Sequence, residues 1–232
     1  MKLGLLADIH ANIDALTAVL KMAKTLGVDE LLVAGDMVGY YFSPKDVIDL
    51  LKTWKAHYVR GNHEEMLIKA IQNGDELTQI NKKYGSGIDL ALNQLSKDEL
   101  WWICSLPHPL GLDFGSCNIL LSHGSPNNVD LYIYPDTLDS NLKDCLMPNY
   151  DFIVMGHTHY PMHKIIDGIH LVNPGSVGQP RNRNPGAQWA ILDTETRNIE
   201  FRNEPYDRTS LILDCKKRHP DLTYLAEILE RV

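Results

Sequence analysis

Residues 152–161 read FIVMGHTHYP: three apolar residues, then two histidines two apart, fenced by Gly156 and Pro161. In an extended segment, residues i and i+2 face the same way. His157 and His159 would therefore leave the end of a short buried strand side by side. Two imidazoles aimed in one direction suit a metal ion, and a polar turn that contains histidine explains the pair as well. The decision rests on whether other strands end in the same way.

They do. The run KLGLLA (2–7) is followed by Asp8-Ile9-His10, LLVA (31–34) by Gly35-Asp36, and HYV (57–59) by Arg60-Gly61-Asn62-His63. ILL (119–121) is followed by Ser122-His123-Gly124, so five apolar runs end in groups able to bind a metal. Ligand sites in open α/β sheets lie beyond the carboxyl ends of the strands, so one sheet can gather these side chains at a single rim. Each motif alone is weak. An aspartate after a strand also serves as a cap or turn residue, Gly-Asn-His also reads as a turn, and a lone histidine is also a structural one. The ordered set of five is hard to obtain by chance. His57, His108, His163, His170 and His219 lie outside it and read as structural.

The segments between have matching periodicity. Ile13, Leu16, Val19, Leu20, Ala23 and Leu26 follow helical spacing up to Gly27, and strand, helix, strand makes a βαβ unit. Ser43-Pro44 opens a second helix, and residues 64–103 read mostly as helix, broken near Gly74 and Gly85-Ser86-Gly87. Residues 64–117 form the expected helical cover, and strands are expected at 170–172, 189–192 and 199–202. The tail from Thr209 is helical, interrupted at Pro220. Without repeats, low-complexity tracts or linkers, residues 1–232 read as a single domain.

Composition narrows the class of function. The 232 residues are 44% hydrophobic and 22% charged, an ordinary globular balance. A net charge of −8 argues against dedicated nucleic-acid binding or a membrane-surface role. No stretch approaches the ~18 apolar residues of a membrane span, and the N-terminal run is too short for a signal peptide, so a cytoplasmic protein is expected. Cys104, Cys117, Cys145 and Cys215 form no C-x-x-C pair and read as reduced thiols. Oligomeric state is not legible.

The five blocks closely resemble those of the calcineurin-like metallophosphoesterase superfamily. Gly35-Asp36-Met37-Val38-Gly39-Tyr40 and Asn173-Pro174-Gly175-Ser176-Val177-Gly178-Gln179-Pro180-Arg181 resemble its small bacterial phosphodiesterase branch. The resemblance implies an α/β fold, a four-layer α/β/β/α sandwich with two packed mixed sheets. It also implies two divalent transition-metal ions, manganese first, with Fe, Ni, Co or Zn compatible with the mixed N/O donors. Asp8, His10, Asp36 and His159 would bind one ion, and Asp36, Asn62, His123 and His157 the other, with Asp36 bridging.

The implied activity is a dinuclear metal-dependent phosphoesterase, foremost a phosphodiesterase on small or generic substrates. A metal-bound hydroxide would attack phosphorus in line. Two ions and two aspartates leave a local charge of about +2, which attracts a phosphate to an acidic protein. By the same resemblance, His63 contacts the phosphate and protonates the leaving oxygen. Its presence keeps open a phosphomonoesterase or dinucleoside-polyphosphate hydrolase. A non-catalytic scaffold of this fold would be expected to have lost ligands or His63. Protein phosphatases of the superfamily usually carry an acidic residue where this chain has Gly39. Glu64 or Glu65 can assist His63 or simply open the following helix. Arg60 and Arg181 are candidate phosphate clamps. Asn12 is a candidate phosphate contact or an N-cap. Tyr40, Tyr41 and Phe42 either stack on a base or pack in the core.

Overall fold

In the computed structural model, residues 1–115 and 117–231 are described. Two five-stranded sheets face one another. The first has the order β10-β9-β1-β2-β3, built from β1 (Lys2–Leu6), β2 (Glu30–Ala34), β3 (Ala56–Val59), β9 (Ala187–Asp193) and β10 (Ile199–Glu204). The second has the order β4-β5-β6-β8-β7, from β4 (Leu110–Asp113), β5 (Asn118–Leu121), β6 (Phe152–Val154), β7 (Met162–Ile166) and β8 (Ile169–Asn173). Both are mixed. β1, β2 and β3 run parallel, as do β5, β6 and β8; β9 pairs antiparallel with both β1 and the edge strand β10, and β4 and β7 are antiparallel edges of the second sheet.

The apolar runs are continuous because both faces of each central strand are covered. Side chains alternate between the two faces. Leu3, Leu5, Leu32, Ala34, Ile119, Leu121, Phe152 and Val154 fill the space between the sheets. Leu6, Leu31 and Val33 pack instead under helices α1 (Ile13–Thr25) and α2 (Pro44–Leu51). Leu120, Ile153 and Leu171 face the opposite outer layer, with Leu142 of the short helix α7 (Asp139–Leu142) and Cys145.

The cover consists of α3 (Asn62–Gln72), α4 (Gly74–Tyr84), α5 (Gly87–Gln94) and α6 (Lys97–Cys104), shorter than the expected 64–117 because the chain turns into the edge strand β4 at Leu110. Its last break comes at Ser96, whose hydroxyl caps α6 while Glu99 reaches back to the Ser96 N–H. The tail forms α8 (Thr209–Arg218) and α9 (Tyr224–Glu230), which bury Tyr41 and Phe42. All four cysteines are free thiols. Among the described residues no helix is long and apolar enough to cross a membrane.

Two strands escaped the sequence reading. β4 and β7 are edge strands, and their half-exposed residues give no apolar run. The single-sheet rim is also corrected. Asp8, Asp36 and the Asn62-His63 pair follow strands of the first sheet, whereas His123 and the His157-His159 pair follow strands of the second.

Candidate metal centre

Where the ends of the two sheets meet, Asp8, His10, Asp36, Asn62, His123, His157 and His159 are all buried. Their donor atoms gather Asp8, His10 and His159 into one group, and Asp36, His123 and His157 into another. A third group joins His63 to His10 and Asp36. The backbone bends sharply to achieve this. Asp8, His10, Asp36, His157 and His159 all have φ between +50° and +75°, a region that non-glycine residues seldom adopt and that concentrates at functional sites.

Three of the four histidines are oriented from behind. Nδ1 of His10 donates to Val38 O at 3.2 Å, Nδ1 of His159 to Gln179 O at 2.6 Å, and Nδ1 of His123 to Ala34 O at 2.7 Å. A proton on Nδ1 leaves the Nε2 lone pair facing the centre. The Nε2 atoms of His10 and His159 lie 3.1 Å apart. Burial pushes both rings well below the usual histidine range, so both are neutral and neither holds a proton to bridge the gap. Asp8 Oδ1 stands 3.5 Å from His159 Nε2, and Asp36 Oδ2 stands 3.8 Å from His10 Nε2. An acceptor-only cage of this kind fits a cation.

The second group is equally crowded. His123 Nε2 lies 3.1 Å from Asn62 Oδ1 and 3.4 Å from Asp36 Oδ2, and His157 Nδ1 lies 2.9 Å from Asn62 Oδ1. Nε2 of His157 is buried without a hydrogen-bond partner. Burial opposes a charge on His123, but the Asp36 carboxylate overrides it and holds the ring up to about 10. The Asp36 charge thus favours a proton on His123, and a metal ion binding here would have to displace it.

The carboxylates are anchored by backbone. Asp36 Oδ1 accepts from His63 N at 2.8 Å, and both Asp8 oxygens accept from His157 N at 3.0 and 3.1 Å. Gly61 is required here because a Cβ would collide with Asp36 Oδ1 and stand 2.7 Å from Asp36 N. The Asn173–Arg181 stretch braces the centre. Asn173 Nδ2 donates to Gly156 O at 2.8 Å, and the Ser176 hydroxyl donates to Asp8 O at 2.7 Å.

The remaining predicted residues divide. His63 is buried, lines the cleft above the donors, and its Nδ1 has no hydrogen-bond partner. Burial pushes its pKa down to about 4, against the opposing pull of Asp36. Arg181 also lines the cleft, its guanidinium donating to the Tyr40 hydroxyl at 3.2 Å and Gln179 Oε1 at 2.9 Å.

Arg60 is not brought to the cleft. It pairs with Glu65 and donates to Leu106 O at 2.7 Å. Asn12 is the N-cap of α1, accepting from Ala15 N at 3.2 Å while donating to Gly178 O at 2.9 Å and the Tyr206 hydroxyl at 3.0 Å, so it has no group left for a phosphate. Tyr41 and Phe42 are core residues, whereas Tyr40 lines the cleft.

Three contributors were not singled out from sequence. His108 accepts from His123 N at 3.0 Å. Tyr84 and Tyr132 wall the cleft. None lies in a strand-end motif.

A crowded cage of histidine, carboxylate and amide acceptors between two packed mixed sheets defines the metal-dependent phosphoesterases of the α/β/β/α class. Residues 1–197 match the calcineurin-like phosphoesterase superfamily domain, and the chain belongs to that superfamily. It is similar to an uncharacterized protein of Methanocaldococcus jannaschii, 30% identical over 224 residues that cover 88% of each chain. It is also similar to phosphodiesterase YfcE of Escherichia coli, 24% identical over 207 residues, 88% of this chain and 94% of that one. Among solved structures, a metallophosphoesterase from Sphaerobacter thermophilus aligns over 100% of this chain and 99% of its own, with a TM-score of 0.78 and 25% identity.

Proposed function

We propose that the protein is a dinuclear metal-dependent phosphoesterase, acting foremost as a phosphodiesterase on small substrates. One observation carries the reading: two neutral histidines, His10 and His159, meet lone pair to lone pair at 3.1 Å. Such a contact is repulsive until a cation enters. Asp8, His10, Asp36 and His159 would hold one ion, and Asp36, Asn62, His123 and His157 a second, with manganese the expected metal. When bound, the ions supply a water nucleophile at neutral pH and neutralise the charge that builds on the phosphoryl oxygens.

The chain's own residues supply the rest. Arg181 offers guanidinium N–H donors to a phosphoryl oxygen, and the Tyr40 hydroxyl fixes its position. His63 hands a proton to the departing oxygen. Burial disfavours its charged form, so the proton is loosely held, and an anionic substrate in the cleft is what draws it onto the ring. The walls formed by Tyr40, Tyr84 and Tyr132 limit water around the reacting group.

The test is direct. Chelator-stripped protein should be inert, and Mn²⁺, Ni²⁺, Zn²⁺ or Mg²⁺ added in turn should restore hydrolysis of bis-p-nitrophenyl phosphate. p-Nitrophenyl phosphate in parallel measures the monoesterase share. Failure of every metal to restore turnover on any phosphoester, with metal demonstrably bound, rejects the reading.

A further inference from the structure

The loop after β5 carries a feature that metal binding and phosphate chemistry leave unused. Along Tyr132-Ile133-Tyr134 the side chains alternate. Ile133 is buried in the outer core, while Tyr132 and Tyr134 are 52% and 39% exposed. The Tyr132 ring lies against the ligand His157, centroids 4.1 Å apart. Tyr134 lies nearly parallel to Tyr132, at 5.9 Å and 21°, and Tyr160 meets Tyr134 edge-on at 5.7 Å. Three tyrosines thus run outward in contact from the rim of the cleft.

The loop is held in place. Ser125 and Asn128 close a turn through four hydrogen bonds, Tyr134 N donates to Thr137 Oγ1 at 2.9 Å, and Lys164 Nζ ties down Thr137 O at 2.6 Å. Partly exposed rings held in contact beside a cleft are a preorganised aromatic surface.

We propose that Tyr132, Tyr134 and Tyr160 form a subsite for a planar aromatic group, a nucleobase, carried by the phosphoester, so that the substrates are nucleotide esters. This rests on the phosphoesterase reading. A phosphoryl group between Arg181 and the metal ligands has Tyr132 as its neighbour in the same cleft, and a base attached through a sugar meets the rings beyond it. Stacking reads a π-face and not a hydrogen-bond pattern, so the shelf favours a base over no base and discriminates little between bases.

The test uses binding, with the phosphonate isostere of adenosine 5′-monophosphate, whose P–C bond resists hydrolysis, and methylphosphonate as the base-free probe. Calorimetry on the Mn²⁺-loaded protein should show the adenosine phosphonate binding about 10-fold or more tighter. Tyr134→Ala and Tyr160→Ala, neither in the metal cage, should remove most of that gain and leave methylphosphonate binding unchanged, while Tyr134→Phe should keep it. Equal affinity for the two probes in the wild type, or equal losses for both probes in the alanine variants, overturns the subsite. A protein that hydrolyses nothing yet keeps the base-dependent gain rejects the hydrolase and leaves the subsite standing. A hydrolase without the gain does the reverse.

Discussion

Gly39 lies directly beneath the imidazole of His63: a Cβ at residue 39 would collide with His63 Nδ1 and stand 2.9 Å from its Cγ. Gly39 also has φ +88°, a conformation that side chains resist. The acidic side chain that protein phosphatases of the superfamily carry at this place therefore has no room here. His63 is held by packing between rings, with centroids 4.6 Å from Tyr40 and 4.7 Å from His10.

Gly39→Ala should displace His63 without touching a proposed ligand. The expected result is a fall in hydrolysis of substrates with poor leaving groups by ~100-fold or more, the low end of what a general acid contributes. Metal stoichiometry should stay unchanged. Substrates with good leaving groups should lose much less, and equal loss on both kinds would count against proton transfer by His63.

The division of ligands between two ions can be read from metal content. His159 Nε2 sits with His10 and Asp8, whereas His157 Nδ1 sits on Asn62. His159→Ala should weaken one binding event and His157→Ala the other, each by more than the ~10–100-fold typical of losing a residue behind a ligand. Each dialysed variant should retain about one equivalent by elemental analysis. Loss of both ions from either variant would show that the centre assembles only as a unit.

The strand-end motifs were legible because chemistry followed each buried apolar run, and the structure brings the motif side chains His10, Asp36 and His159 together. The assignment of those strands to two sheets was not legible, since Leu32 and Ile119 look alike in sequence although they belong to opposite sheets. Nor were partners joined only by folding. His108 reaches His123 across 15 residues, and the Asn12 amide reaches Tyr206 across 194. Arg60 and Arg181 carry the same chemistry, and only the tertiary structure separates the one paired with Glu65 from the one at the cleft.

Glu64 holds the Asp36 loop rather than His63. Its two oxygens accept from Gly61 N at 2.7 Å, Asp36 N and Met37 N at 2.8 Å, and Val38 N at 3.2 Å. Burial, with the Asp36 charge beside it, pushes this carboxyl up to about 7, while four N–H donors favour the anion. Glu64→Gln replaces one oxygen with a donor and leaves two buried N–H groups facing it. The expected cost is ~3 kcal/mol, measured by urea unfolding in chelator, together with weaker metal binding at Asp36. A change below ~1 kcal/mol would mean that the loop finds other acceptors.

Acid sensitivity should be traceable to Glu99, which does not line the cleft. Lys52 donates to Oε1 at 2.6 Å, and the Ser96 N–H and hydroxyl both donate to Oε2 at 2.9 Å. The Lys52 ammonium first, then the Ser96 N–H, hold its pKa down to about 2. A carboxyl depressed in the folded state stabilises the fold fully above the ordinary glutamate range, and that contribution fades as pH falls toward the folded value. Lys45 and Lys52 are both substantially exposed, so solvent screens them, and the cap with its pair is worth about 1–2 kcal/mol. Glu99→Gln should therefore lower unfolding free energy by that amount at pH 7, and the gap to wild type should shrink to less than half by about pH 3. A gap that stays constant between those pH values would assign the loss to helix capping alone and remove the charge from the account.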